Sequence, residues 1–321
     1  MDAASPRPNR VRPALRGLFA GTVVYASTMA PAAAAPPGMT EPVHRVANAA
    51  TALTPRADRA DRVDRAAATP APAATPSVAP AEHPLDHALA LASRALERSR
   101  REISDYTALM VKRERIDGVV SDTQYMTLKV RNHKEANGAV TQPFSVYLGF
   151  LKPAAVKGRE VMFVEGRNEG NLTAHEGGFK GRFLPTVQLA PTGMMAMRGQ
   201  RYPVTEVGLE KLLEKLLERG GRARRAPDVR CEFRQGARVK DRTCTVIQVV
   251  QPTYAADNEF HTAQIFLDDE LGLPIRYAAY DYPKGGATTG EVIEEYTYVN
   301  LRLNPGLTDA DFDLANPAYG F

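Results

Sequence analysis

From Ile265 to Phe312 the chain reads as strand, acidic turn, strand, strand and short terminal turn, the closing part of a large antiparallel sheet. In FLDDELGLPIRYAAYDYPKG, β-branched and aromatic runs flank turn formers. They predict strands at Ile265–Asp268 and Ile275–Tyr282 around a turn at Asp269–Gly272. EVIEEYTYVNLRLNPGLTDADF adds a third strand and a final turn, and no catalytic motif interrupts either segment. Upstream, Tyr106–Ile116 predicts a strand ended by the hairpin dipeptide Asp117-Gly118. Alternation then sharpens. Met126, Leu128 and Val130 share one side against Thr127, Lys129 and Arg131, and Phe144, Val146, Leu148 and Phe150 repeat the pattern. Short strands are expected at Glu160–Val164 and Asn171–His175, and a hairpin at Arg230–Lys240 and Thr243–Gln251.

Two helices accompany these roughly nine to eleven strands. Leu85, Leu89, Ala92, Leu96 and Ile103 recur at helical spacing after Pro84. Thr205 is placed to cap a second helix running to Arg219, with a stripe of Leu209, Leu212, Leu213, Leu216 and Leu217 and Gly220-Gly221 as its stop. The expected class is α+β: a curved antiparallel sheet with both helices on its concave face. Between the short strands and the second helix, Gly177–Arg201 holds five glycines and two prolines without sustained period. This predicts an irregular loop over the sheet. Its residues Phe179, Phe183, Leu184, Met194, Met195 and Met197 either plug the apolar face or form an adaptable lid on a ligand, since Met repacks readily.

Composition is uneven along the chain. Residues 36–84 hold nine prolines, many alanines and the tract Ala57-Asp58-Arg59-Ala60-Asp61-Arg62-Val63-Asp64-Arg65, with few large apolar side chains. Such a segment buries too little to offset its ordering entropy, so residues 35–84 are expected to be a solvated linker. Arg7, Arg10, Arg12 and Arg16 precede an apolar run from Leu18 to Met29 and then Ala32–Ala35, the layout of a secretory signal cleaved near Ala34. No cysteine lies just after the apolar run, which argues against a lipid anchor, and the run is short for a span of about 20 residues; an uncleaved anchor is the remaining alternative. The expected organisation is a signal over residues 1–34, the linker, and one domain over residues 85–321. The expected location is periplasmic, with the protein peripheral to a membrane at most.

The net charge of +4 does not signal nucleic acid. Residues 1–84 carry nine Lys or Arg against six Asp or Glu, which leaves 32 against 31 for the remainder. The basic run Arg219–Arg230, with Arg222, Arg224 and Arg225, reads as a solvated loop after a helix.

Export permits a disulfide between Cys231 and Cys244. A turn near Ala237 would bring them face to face, whereas a turn at Lys240-Asp241 would offset them as two thiols; both readings stand at this point. No catalytic residue, metal site or cofactor is expected. GxSxG, HExxH, phosphate-loop and dinucleotide motifs are missing, and His133, His175 and His261 are scattered. Asp268, Asp269 and Glu270 lack the spaced ligands of a calcium loop. Glu294 and Glu295, adjacent on a strand, point to opposite faces and cannot act as a pair.

The stretch Phe144–Gly178, VQLAPTGMMAM, YPVTEVGLEKLL, the two cysteines, FLDDELGLPIRYAAYD and EEYTYVNLRLNPGLTDADF together resemble the DUF1571 family of exported bacterial proteins. More broadly they resemble the outer-membrane lipoprotein carrier superfamily, over about Leu85–Asp313. The resemblance implies a half-open β-barrel and, by analogy of fold, binding of acyl chains or a lipoprotein. Two functions follow as expectations. One is a non-catalytic periplasmic carrier sheltering a hydrophobic ligand, with an envelope protein as a possible partner. The other is a structural or interaction module of the envelope whose sheet is fully plugged by its own helices. A hydrolase or metal enzyme would need His175 and His261 to converge with an acidic residue.

Overall fold

A computed structural model of the chain describes residues 82–181 and 183–321. The expected signal and nearly all of the expected linker lie outside them. Strands β1 (Asp105–Ile116), β2 (Val119–Val120), β3 (Gln124–Arg131), β4 (Lys134–Ala136), β5 (Ala139–Gln142), β6 (Ser145–Lys152) and β7 (Glu160–Val164) follow helix α1 (Asp86–Glu102). Next come β8 (Leu172–His175), the one-turn α2 (Gly178–Gly181), β9 (Val187–Leu189), the one-turn α3 (Met194–Met197) and α4 (Leu209–Ala223). The chain closes through β10 (Arg230–Val239), β11 (Arg242–Val250), β12 (Thr262–Asp268), β13 (Pro274–Tyr280) and β14 (Val292–Leu303).

Twelve strands form one antiparallel sheet in the order β10-β11-β12-β13-β14-β1-β3-β6-β7-β8-β9, with β2 paired to β1. The sheet is curved and open, as the resemblance implies, and β9 and β10 are its free edges. The first strand, β1, stands at its centre, held on one side by β14 and on the other by β3. A small β4–β5 hairpin turns at Asn137-Gly138 and lies apart. Both it and the Asp117-Gly118 turn place their two residues at positive φ, as a two-residue hairpin requires.

Period-two alternation sends Tyr106, Ala108 and Met110, Met126, Leu128 and Val130, and Val146, Leu148 and Phe150 to the concave face. There they meet Ala95, Leu96 and Ile103 from α1 and its end, and Leu209 and Leu213 of α4. A second cluster joins Leu85, Leu89, Leu212, Leu216 and Ala223 to Val249, Ala263, Tyr277 and Ala279. The leucine stripe of α4 is therefore core. On the outer face Tyr147, Met162 and Val164 are covered by Phe312, Tyr319 and Phe321, with the Tyr147 and Tyr319 rings stacked at 4.1 Å.

Three expectations fail, each for a tertiary reason. The second helix starts at Leu209, and Thr205 sits instead in a short 3-10 turn, Val204–Glu206. Gly208, at φ 127°, redirects the chain where the Tyr106 hydroxyl accepts a bond from the Leu209 N–H at 2.8 Å. A Cβ at Gly208 would lie 2.7 Å from that hydroxyl, so only glycine fits. The helix then runs through Gly220-Gly221 to Ala223, since Gly220 packs against Leu89 of α1 and the helix pairing outweighs two weak formers. Residues 177–201 are not wholly irregular either: β9 pairs with β8 and extends the sheet.

The β10–β11 turn falls at Lys240, at φ 56°, so Cys231 stands opposite Val249 and Cys244 opposite Ala237. Cys231 packs with the concave cluster and Cys244 with Val239, Val246, Phe266 and Ile275 on the other face. The two are free thiols, and burial pushes Cys231 up to about 11 and Cys244 up to about 12.

Candidate functional site

The helices do not fill the concavity. Between the sheet, α4 and residues 184–208 lies a cavity of about 670 Å³. Its apolar body comes from inward positions of successive strands: Met110 of β1, Met126 of β3, Leu148 and Phe150 of β6, Val161 of β7 and Leu172 of β8. Leu184, Leu189, Met195 and Ala196 border it from the far side.

One end of the cavity is polar, and it lies at the seam between β1 and β14. Lys112 and Glu114 continue the inward parity of Met110, and Glu294 and Tyr296 that of Tyr298. Glu114 and Glu294 are direct cross-strand partners. Arg219 reaches in from α4, one turn beyond Leu216 on the same stripe. Side-chain exposure is 9% for Lys112, 3% for Glu114, 10% for Arg219 and 1% for Glu294. Four charges this deep are tolerable only as pairs.

The pairing is complete for the two carboxylates. Lys112 Nζ lies 3.1 Å from Glu114 Oε2 and donates to Gln200 Oε1 at 2.5 Å. The Tyr296 hydroxyl donates to Glu114 Oε1 at 2.5 Å, and the Arg201 N–H donates to Glu114 Oε2 at 3.2 Å. Glu294 is held by the Arg219 guanidinium and by Arg201 Nε at 3.2 Å. Arg219 also donates to the hydroxyls of Tyr277, at 2.8 Å, and Tyr202. Burial, then the Glu294 charge, pushes Tyr202 up to about 12 and drives Tyr277 and Tyr296 up as well. These phenols stay protonated donors across the physiological range. Two carboxylates face each other here, but each is neutralised and bonded.

Of the six candidate binding residues, Leu184 and Met195 line the cavity. Met194 is 89% exposed and Phe183 75% exposed, turned to solvent, and Met197 is absent from the lining. Phe179 sits on α2, and its side chain is outside the description. Glu294 and Glu295 do take opposite faces: Glu295 pairs with Arg276 and Arg113, away from the cavity. Arg219, read from sequence as the start of a solvated basic run, is instead buried in the site. Lys112, Glu114 and Glu294 were legible only through strand parity, which places them on the greasy side.

Asp268 accepts from Arg242 Nε at 2.5 Å and from the N–H groups of Glu270 and Leu271, closing its turn. His133 lies between Glu165 and Glu135. His175, on β8, and His261, just before β12, are separated by six intervening strands of the sheet. Among the described residues no cluster of His, Cys, Asp or Glu could hold a metal ion, and no helix is long and apolar enough to cross a membrane.

A model of the family described as "Protein of unknown function (DUF1571)" matches residues 103–321. No curated protein matches the chain. Solved structures with a similar course include a DUF1329 family protein from Desulfovibrio piger, at 14% identity, 73% of this chain and 98% of the other, and TM-score 0.33. A LolA superfamily protein from Nitrosomonas europaea follows at 11% identity, 69% and 97% coverage, and TM-score 0.28. The Mycobacterium tuberculosis lipoprotein LppX gives 14% identity, 71% and 100% coverage, and TM-score 0.36. Scores this low carry no argument about what this chain binds.

Proposed function

Since the chain belongs to the DUF1571 family, whose description assigns no role, we propose a function from the cavity itself: a non-catalytic protein of the periplasm that shelters an acyl chain, free or borne by a lipoprotein. The observation carrying this reading is the unfilled space of about 670 Å³ on the inner face of the sheet. Cores pack to crystal density, and a void of this size is within the range of small-molecule sites, about 300–1,000 Å³. Away from the polar end, the strand-borne wall is made of aliphatic, aromatic and methionine side chains, which suit a flexible hydrocarbon. The alternative of a sheet plugged by its own helices does not fit this space.

Leu184 and Met195, half or more exposed at the border, form the part of the wall that can repack around chains of different length. The absence of catalysis is supported by the completed pairing of Glu114 and Glu294. Delivery to a second envelope protein belongs to the same proposal.

The test is native mass spectrometry of protein purified from the periplasm without detergent. A co-purified lipid mass, lost when Leu148 is replaced by Arg in the cavity wall, is the expected result. Protein that emerges bare and takes up no hydrophobic dye would sink the reading.

A further inference from the structure

We infer that the ligand's headgroup is uncharged and bears a hydroxyl, and that it docks between Lys112 and Gln124 at the polar end of the cavity. This rests on the acyl-binding reading above and adds to it the chemical class of the amphiphile.

The charge at that end sets the first constraint. Lys112 and Arg219 are balanced by Glu114 and Glu294, all four at most 10% exposed and joined as ion pairs, and the more exposed Arg201 and Glu259 add one further charge of each sign. A carboxylate or phosphate arriving there would face Glu114 and Glu294 and would have to break an existing pair to gain a cation. An ammonium would face Lys112 and Arg219 in the same way. Either would leave a charge uncompensated where water is largely excluded, which is the costly case. A neutral group meets no such penalty.

The second constraint comes from unused hydrogen-bonding capacity. Gln124 lines the cavity, and its Oε1 is buried with no hydrogen-bond partner among the described residues. Buried polar atoms are nearly always bonded, so an orphan on a cavity wall points at what the cavity holds. Lys112 is the cross-strand partner of Gln124 in the β1–β3 register. Its ammonium has three donors, of which Glu114 and Gln200 take two. A free acceptor and a free donor therefore stand on neighbouring strands. A hydroxyl answers both, donating to Gln124 Oε1 and accepting from Lys112 Nζ. A carboxylate only accepts and an ammonium only donates, so each would leave one of the two unsatisfied. At the charged rim Lys211 and Lys215 pair with Glu214 and Glu206 at 2.9 and 3.3 Å and Arg159 with Glu176 at 2.9 Å, while Arg198 is exposed to solvent.

The experiment compares three amphiphiles of one chain length, 1-monolauroylglycerol, laurate and dodecylamine, at pH 8. Each is kept below its aggregation concentration and titrated against a fluorescent hydrophobic probe bound to the full chain. Monolauroylglycerol should displace the probe at a concentration at least tenfold below either charged analogue, the scale of a lost buried hydrogen bond. Gln124→Leu should reduce that preference to threefold or less while leaving laurate displacement within twofold. Gln124→Asn, which keeps an amide, should retain part of the preference. Laurate or dodecylamine displacing the probe as well as the glyceride, or a preference unchanged in Gln124→Leu, would overturn the headgroup assignment and leave acyl binding intact. No displacement by any of the three would overturn both.

Discussion

Arg219 shows how much one side chain on a leucine stripe can carry. It neutralises Glu294, donates to Tyr277 and Tyr202, and lies 2.8 Å from Glu259 through Nε. Arg219→Met removes one cation from a carboxylate that is 1% exposed. Breaking a buried pair costs about 3–5 kcal/mol; with Arg201 still in place, about 2–3 kcal/mol is expected by urea unfolding. The double change Arg219→Met with Glu294→Leu should recover most of that loss, because the stranded charge is gone. Asp268 supplies a pH signature. Burial acts to raise its pKa, but Arg242 and the N–H groups of Leu271 and Glu270 outweigh it and hold the carboxyl below its ordinary value. A depressed folded-state pKa stabilises above the unfolded value near pH 4, and the contribution drains away as pH falls through the folded value. Asp268→Asn should therefore lower stability at pH 7 and flatten the acid side of the stability profile, measured by thermal melts from pH 7 to pH 2.

At the scale of elements, most strands were legible because alternation is a local signal. β7 matches its expected bounds, and β1 differs by one residue. What was not legible was contact between distant elements. The α4 boundaries depend on Gly208 against Tyr106 and Gly220 against Leu89, and neither pair is near in sequence. The cross-strand Glu114–Glu294 pairing hides for the same reason: each carboxylate looks solvated until β14 is known to lie beside β1. The two glycines inside α4 allow a paired test of this view. A Cβ on Gly221 meets nothing within 4 Å, so Gly221→Ala should raise stability by up to about 1 kcal/mol through helix propensity. A Cβ on Gly220 would lie 2.6 Å from Leu89 Cδ2, so Gly220→Ala should lose that gain or destabilise by pushing α4 off α1. Equal melting shifts for the two variants would contradict the helix packing described.

For the whole molecule, the sheet is covered by different parts on its two sides: the helices over part of the inner face, and the segment after β14 on the outer. Phe312 is 2% exposed beneath the Arg131 guanidinium, 4.8 Å from the ring centroid, while Lys129 and Arg131 bind Asp311 and Asp309 at 2.7 Å each. Phe312→Ala should cost about 3–4 kcal/mol by chemical denaturation, the range for emptying a buried aromatic site. It should leave occupancy of the inner cavity unchanged, since Phe312 packs with Tyr147, Met162 and Val164 on the outer face. The strand order carries a further consequence. β1–β9 and β10–β14 are each contiguous in the chain and meet along one ladder, β14 with β1, at the middle of the sheet. Lys112 and Glu114 come from one half and Glu294, Tyr296 and Tyr298 from the other, and all five line the cavity, so a guest filling it would touch both halves across that join. A backbone cut between Arg224 and Asp228 severs no strand pairing; the nicked protein should hold together, and should come apart at lower urea when emptied of lipid than when loaded.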